Sequence, residues 1–253
     1  MKIVSFSIFK GGTGKTTSAV SAAAALVKKR QRVLLIDLDQ QASATRYLDL
    51  DPDQSPSLYE VFRGTASAAT TIRKTKAGVD VLPSHLLMAA LEAMLEPGDE
   101  QKLSDIIAPL KPDYDFILVD TPPGKAMLTF NGLAAADLIV IPASADRMAV
   151  DGVADLINHV QKIMWGKVDL TQQELRILFT MFRTTTSHSH AIVANAMKIW
   201  RDNVLAVKIP HSTVFAKAYD HRTPIELLDP RHPGAETYRE FADWLIKYAE
   251  RTP

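Results

Sequence analysis

The stretch Lys10-Gly11-Gly12-Thr13-Gly14-Lys15-Thr16-Thr17 constrains this chain more than any other. It follows an apolar run, Ile3-Val4-Ser5-Phe6-Ser7-Ile8-Phe9, that reads as a strand. It precedes Ser18–Lys29, whose Ala and Leu content favours a helix. A glycine turn between strand and helix lets backbone N–H groups converge on phosphate oxygens, because no Cβ stands in the way. The helix N-terminus adds partial positive charge. Gly11, Gly12, Thr13, Gly14 and Thr17 are the candidate cradle. Lys15 can reach the outer phosphates. The Thr16 hydroxyl suits Mg²⁺, a hard cation that prefers oxygen.

Apolar runs like the first recur at Val33–Asp37, Val79–Leu82, Phe116–Val119, Leu138–Ile141, Ile177–Phe182 and Val204–Ile209. Continuous runs of this kind mark strands buried on both faces of a parallel sheet. Seven such strands alternating with helical stretches predict an α/β fold: a single doubly wound, mostly parallel sheet with helices on both faces, as one domain over 1–253. Segment 49–76 fits least. Asp49–Pro56 reads as loop by composition, with a short helix over Ser57–Arg63. The length of 253 residues, 47% apolar and 23% charged, excludes a disordered or coiled-coil chain. The absence of cysteine excludes a disulfide framework, a thiol nucleophile, a zinc knuckle and an iron–sulfur cluster. No apolar run reaches the ~18 residues of a membrane span. Lys2 and Lys10 bracket too short an apolar stretch for a signal peptide. A cytoplasmic protein is expected.

In open α/β sheets, sites form beyond the carboxyl ends of strands. Three acids fall there. Asp37 and Asp39 close Val33-Leu34-Leu35-Ile36-Asp37-Leu38-Asp39, and Asp120 closes Phe116-Ile117-Leu118-Val119-Asp120 before Thr121-Pro122-Pro123-Gly124. A carboxylate after four apolar residues is the Walker B arrangement, which holds Mg²⁺ through water. Asp120 and Thr16 are therefore expected in the metal shell, with Asp37 near it, and Asp39 is placed to orient an attacking water.

The usual Walker A pattern would place a glycine at position 9, where this chain has Phe9; a second lysine, Lys10, stands just before the glycines instead. With the Asp37-Leu38-Asp39 and Asp120-Thr121-Pro122-Pro123-Gly124 segments, this resembles the ParA/MinD superfamily of deviant Walker A ATPases. Ala136–Pro142, Ile209-Pro210 through Thr223-Pro224-Ile225, and Gly234–Tyr238 are similar to the short, Soj-like ParA proteins. The resemblance covers nearly the whole chain and implies a P-loop ATPase using ATP and Mg²⁺. It implies an ATP-dependent homodimer in which Lys10 acts on the partner's phosphates, making Lys10, Lys15 and Asp39 the catalytic set. It also implies a base cleft near Met181 and Pro210.

Relatives that carry iron–sulfur clusters need cysteines. MinD-type proteins carry an amphipathic helix after the last core helix. Here the final helix shows Tyr238, Phe241, Ala242, Leu245 and Tyr248, an ordinary core stripe, so no membrane partner is expected. With the phosphate loop beginning at residue 10, no N-terminal helix-turn-helix extension is expected. The Soj-like resemblance implies DNA binding without sequence preference, a nucleoid association, and a ParB-like or other cargo-linked activating protein. Residues 176–251 carry eleven Lys/Arg against eight Asp/Glu. Arg183, Lys198, Arg201, Lys217 and Arg222 are the DNA-contact candidates, with Lys208 and Arg231 beside them. A MinD-like membrane-associated ATPase and a small-molecule ATP-dependent enzyme related to dethiobiotin synthetase are the alternatives. His188 and His190 lack a third metal ligand. Trp165, Trp200 and Trp244 read as packing groups.

Overall fold

The computed structural model describes residues 1–163 and 174–251. Trp165 lies outside them. Eight strands form one sheet: β1 (Lys2–Phe6), β2 (Val33–Asp37), β3 (Arg73–Lys74), β4 (Asp80–Leu82), β5 (Phe116–Asp120), β6 (Leu138–Ser144), β7 (Glu174–Phe182) and β8 (Val204–Pro210), in the order β3-β4-β2-β5-β1-β6-β7-β8. Every pairing is parallel except β3 with β4. The helices are α1 (Lys15–Lys28), α2 (Ser43–Tyr47), α3 (Leu58–Phe62), α4 (Ala68–Thr71), α5 (Met88–Glu92), α6 (Lys102–Ile107), α7 (Met127–Ala134), α8 (Arg147–Ile163), α9 (Ser187–Trp200), α10 (Val214–Asp220), α11 (Ile225–Leu228) and α12 (Pro233–Arg251).

The seven apolar runs are all strands. The eighth strand, β3, lies in segment 49–76 and was not expected. It is two residues long, polar, and sits on the sheet edge, so it needs no apolar run. Two boundaries also move. β1 stops at Phe6 rather than Phe9, and α1 starts at Lys15 rather than Ser18, because the chain turns into the helix straight from Gly14.

The apolar strands are buried on both faces for a direct reason. In β2, Val33 and Leu35 face α1 and α12, while Leu34 and Ile36 face α3, α5 and α6; Phe116/Leu118 and Ile117/Val119 divide the same way in β5. The stripe on α12 is buried, and Phe241 meets Phe6 edge-on at 6.3 Å. Trp244 stacks between Phe241 and Tyr248 as a packing group. Each fully buried aromatic of this kind contributes about 1.5–3 kcal/mol of apolar burial. The result is a rigid platform whose carboxyl edge carries the loops that follow β1, β2, β5, β7 and β8. No helix among the described residues is long and apolar enough to cross a membrane.

Candidate functional site

The phosphate-type loop rises from β1 and enters α1. Gly12 and Gly14 adopt φ of 74° and 82°, a left-handed backbone that side chains disfavour. The first turn of α1 has no side-chain cap and no acidic residue. Its N–H groups thus lack an anionic partner from the loop, which is the condition for receiving an external anion. Lys15 is almost fully buried at the same point. The loop is tied down from behind, where the Thr180 hydroxyl on β7 donates to the Thr13 carbonyl at 2.8 Å.

The three acids meet as expected at the carboxyl edge but differ in their surroundings. Asp37 and Asp120 are direct cross-strand partners in β2 and β5. Asp37 Oδ2 accepts from the Thr45 N–H (2.9 Å) and hydroxyl (2.8 Å), and Oδ1 accepts from the Asp39 N–H (3.1 Å). Burial, with Asp120 beside it, pushes its carboxyl up to about 8. Asp37 thus organises the turn into α2. Asp120 is equally buried, yet neither of its oxygens has a hydrogen-bond partner. Burial pushes it up to about 6 against the pull of Lys15 and Thr16. A buried carboxylate that faces the Thr16 hydroxyl and the Lys15 ammonium without closing a hydrogen bond to either fits a Mg²⁺ shell completed by water and phosphate oxygens. No cluster of three or more His, Asp or Glu side chains suited to a metal exists among the described residues. Such a cluster is not needed for a cation that keeps most of its waters. Asp39 is held through both backbone and side chain, since Ser84 Oγ donates to its carbonyl at 2.7 Å and its Oδ1 accepts from Gln41 N–H at 2.9 Å.

Lys10 lies in the loop with its ammonium 3.5 Å from Asp146, at the end of β6. Both side chains are substantially solvent-exposed, so the pair contributes ~1 kcal/mol or less and holds Lys10 lightly.

A cavity of about 530 Å³ opens over the loop. Gly11, Gly12, Gly14, Lys15, Thr16, Thr17 and Asp39 line one side; Met181, Ile209, Pro210 and His211 line the other. Met181 and Pro210 are therefore where the cleft was expected. Met181 has φ 51°, and β7 and β8 slip register between Phe179 and Phe182. Tyr47 and Tyr219, whose rings meet edge-on at 5.3 Å, contribute aromatic wall that sequence reasoning missed. So were Thr45, Ser84, Asp146 and Thr180. Each is a small or ordinary polar residue in a loop, a short helix or near a strand end, with no motif to mark it.

The basic candidates do not form one patch. Arg183 sits beyond β7 at the cavity end, its guanidinium 3.4 Å from His211 Nε2. Lys217 is exposed on α10, which lines the cavity. Arg222 stands 4.0 Å from Asp49, which also binds Lys76. α9 runs back along the sheet for about 21 Å at 1.5 Å per residue over its 14 residues. That carries Lys198 and Arg201 to the opposite edge, where β8 begins. Lys208 folds over Phe182, and Arg231 is exposed. His190 engages the Thr184 carbonyl and the Phe182 ring.

Residues 1–177 match the model of a family described as an AAA domain. The chain is 33% identical over 246 residues to the sporulation initiation inhibitor protein Soj of Bacillus subtilis, covering 95% of this chain and 96% of that one. It is 30% identical over 251 residues to the chromosome partitioning protein ParA of Myxococcus xanthus, covering 97% and 88%. Among solved structures, a cobyrinic acid a,c-diamide synthase from Mycobacterium smegmatis, with bound ADP and magnesium, matches at TM-score 0.86 and 30% identity, covering 99% and 96%.

Proposed function

The chain belongs to the ParA/MinD superfamily of P-loop NTPases and is Soj-like within it; on that premise we propose that it is an ATP-dependent positioning ATPase. ATP with Mg²⁺ binds in the 530 Å³ cavity and supplies the phosphoryl group and its counter-charge. One observation carries this reading above the others. The acid-free start of α1, in its glycine loop, shares the cavity end of the sheet with Asp120, a buried carboxylate whose oxygens close no hydrogen bond. One feature needs an anion and the other a cation, and a magnesium-bound nucleotide brings both.

The residues then divide the work. The loop N–H groups and Lys15 bind phosphate oxygens, and Thr16 and Asp120 hold the metal. Asp37 keeps the β2 turn in place. Asp39, fixed by Ser84 and Gln41, orients the attacking water. Met181 and Pro210 hold the base. Lys10 leaves Asp146 and reaches the phosphates of a second copy, adding positive charge where the leaving group becomes anionic. The dimer binds DNA through backbone phosphates. A cargo-linked partner stimulates hydrolysis, and the cargo is a plasmid, a chromosome or a protein assembly.

The test is binding to random duplex DNA with ATP, ADP or no nucleotide at two salt concentrations. Salt-sensitive binding that requires ATP is expected. Two results would overturn the reading: co-sedimentation with lipid vesicles in ATP without DNA binding, or turnover that requires an added small-molecule acceptor.

A further inference from the structure

Thr180 touches three parts of the site that belong to different strands. Its hydroxyl donates to the Thr13 carbonyl inside the phosphate loop at 2.8 Å. Its own carbonyl accepts from the Ala145 N–H at 3.2 Å, one residue before the Asp146 that holds Lys10. The residue after it is Met181, which turns left-handed and lines the cavity. Thr180 is itself buried, so the bond to Thr13 is shielded from water.

The loop has little else to fix that part of it. A Cβ built on Gly11 or Gly12 would meet nothing within 4 Å, so the outer face is not held by packing. On the inner face, the nearest atoms to a Cβ on Gly14 all belong to Thr180, the closest at 3.7 Å. The Thr13 hydroxyl is buried without a hydrogen-bond partner. A glycine-rich loop gains many conformations once released, and an ångström of misplacement is costly where several donors must converge on one ligand.

We propose that Thr180 is a positioning residue: its hydroxyl fixes the Thr13 peptide, and with it the phosphate-facing N–H groups, to the strand end that carries Met181. This rests on the nucleotide-binding reading above. Nucleotide on the Met181 side and phosphate on the loop side are then held by one rigid unit rather than two.

The experiment is calorimetric titration of ADP and of a slowly hydrolysed ATP analogue into wild-type, T180V and T180S full-length protein, with melting temperatures measured without nucleotide. T180V keeps the shape but leaves the buried Thr13 carbonyl without its donor. It is expected to weaken both nucleotides about tenfold. T180S keeps the hydroxyl and is expected to bind within about twofold of wild type. T180A makes the same comparison should the valine variant not fold. A lowered melting temperature with unchanged affinity means a merely structural residue and overturns the inference. So does equal loss in T180S, which would assign the effect to the methyl group. Absence of ADP binding by the wild type would overturn the nucleotide reading as well, whereas wild-type binding that T180V leaves intact overturns this inference alone.

Discussion

The two walls of the cavity are built by opposite means. On the β2–β5 side, Asp39 lines the cavity with the buried Asp37 and Asp120 at the strand ends behind it, and Thr45, Ser84 and Gln41 hold Asp37 and Asp39 in place. On the β7–β8 side, Met181 is 40% exposed, its backbone is left-handed, and the strands slip register beside it. Charge chemistry needs dipoles and carboxylates fixed in advance and shielded from water, since reorganisation is what costs rate. A wall that offers an apolar face to a base needs only shape. The rigid wall should therefore dominate nucleotide binding and turnover.

Lys15→Ala carries the largest expected effect. It removes a buried ammonium from the phosphate end, and ADP and ATP affinity should fall at least about 100-fold in calorimetry. Residual affinity within tenfold of wild type would break the comparison, because the irregular wall would then be carrying the binding. Lys10→Ala comes next. Hydrolysis should fall by about 10³-fold, as for other charges delivered across an interface, with dimerisation lost and ADP affinity within about twofold. A variant that still dimerised and turned over normally would remove Lys10 from the cross-subunit role.

The rigid wall was also the legible one. Four apolar residues followed by an acid can be read off Phe116–Asp120, because a strand buried on both faces tolerates little else and the acid marks its end. The glycine loop announces itself likewise. The other wall has no such grammar. Met181 and Pro210 were placed by resemblance alone, and Thr180 and Tyr219 were missed, since nothing local distinguishes a threonine that bonds 167 residues away. β3 was missed because a two-residue polar edge strand has no period. Among the acids, spacing found all three but not their division of labour, which depends on donors from Thr45, eight residues along the chain.

That division can be sharpened by a mirrored pair. Asp37→Ala leaves the Thr45 and Asp39 N–H groups buried without acceptors. It should cost about 2 kcal/mol, roughly 4–8 °C in Tm. Asp120→Ala breaks no hydrogen bond but takes the facing charge from Lys15, so the metal-free Tm should fall by less than for Asp37→Ala, while Mg²⁺ affinity with ADP falls about tenfold or more. Thermal melts with and without MgADP separate the two. A drop in metal-free Tm for Asp120→Ala as large as that for Asp37→Ala would erase the distinction.

The smallest effects belong to the basic side chains, where each contact to a phosphate is one among several. Arg183 lies at the cavity end, beside the wall that a nucleotide would order, while Lys198 lies one helix length away at the opposite edge. A DNA duplex tracking one edge of the sheet cannot use both. Arg183→Ala and Lys198→Ala should therefore differ: one weakens ATP-dependent DNA binding a few-fold and lowers the salt slope by about one, and the other leaves both unchanged. Because nucleotide must switch the contact on, the cavity-end residue is the one expected to matter. Equal losses from both substitutions would mean that the DNA path spans two copies of the chain, each presenting a different edge.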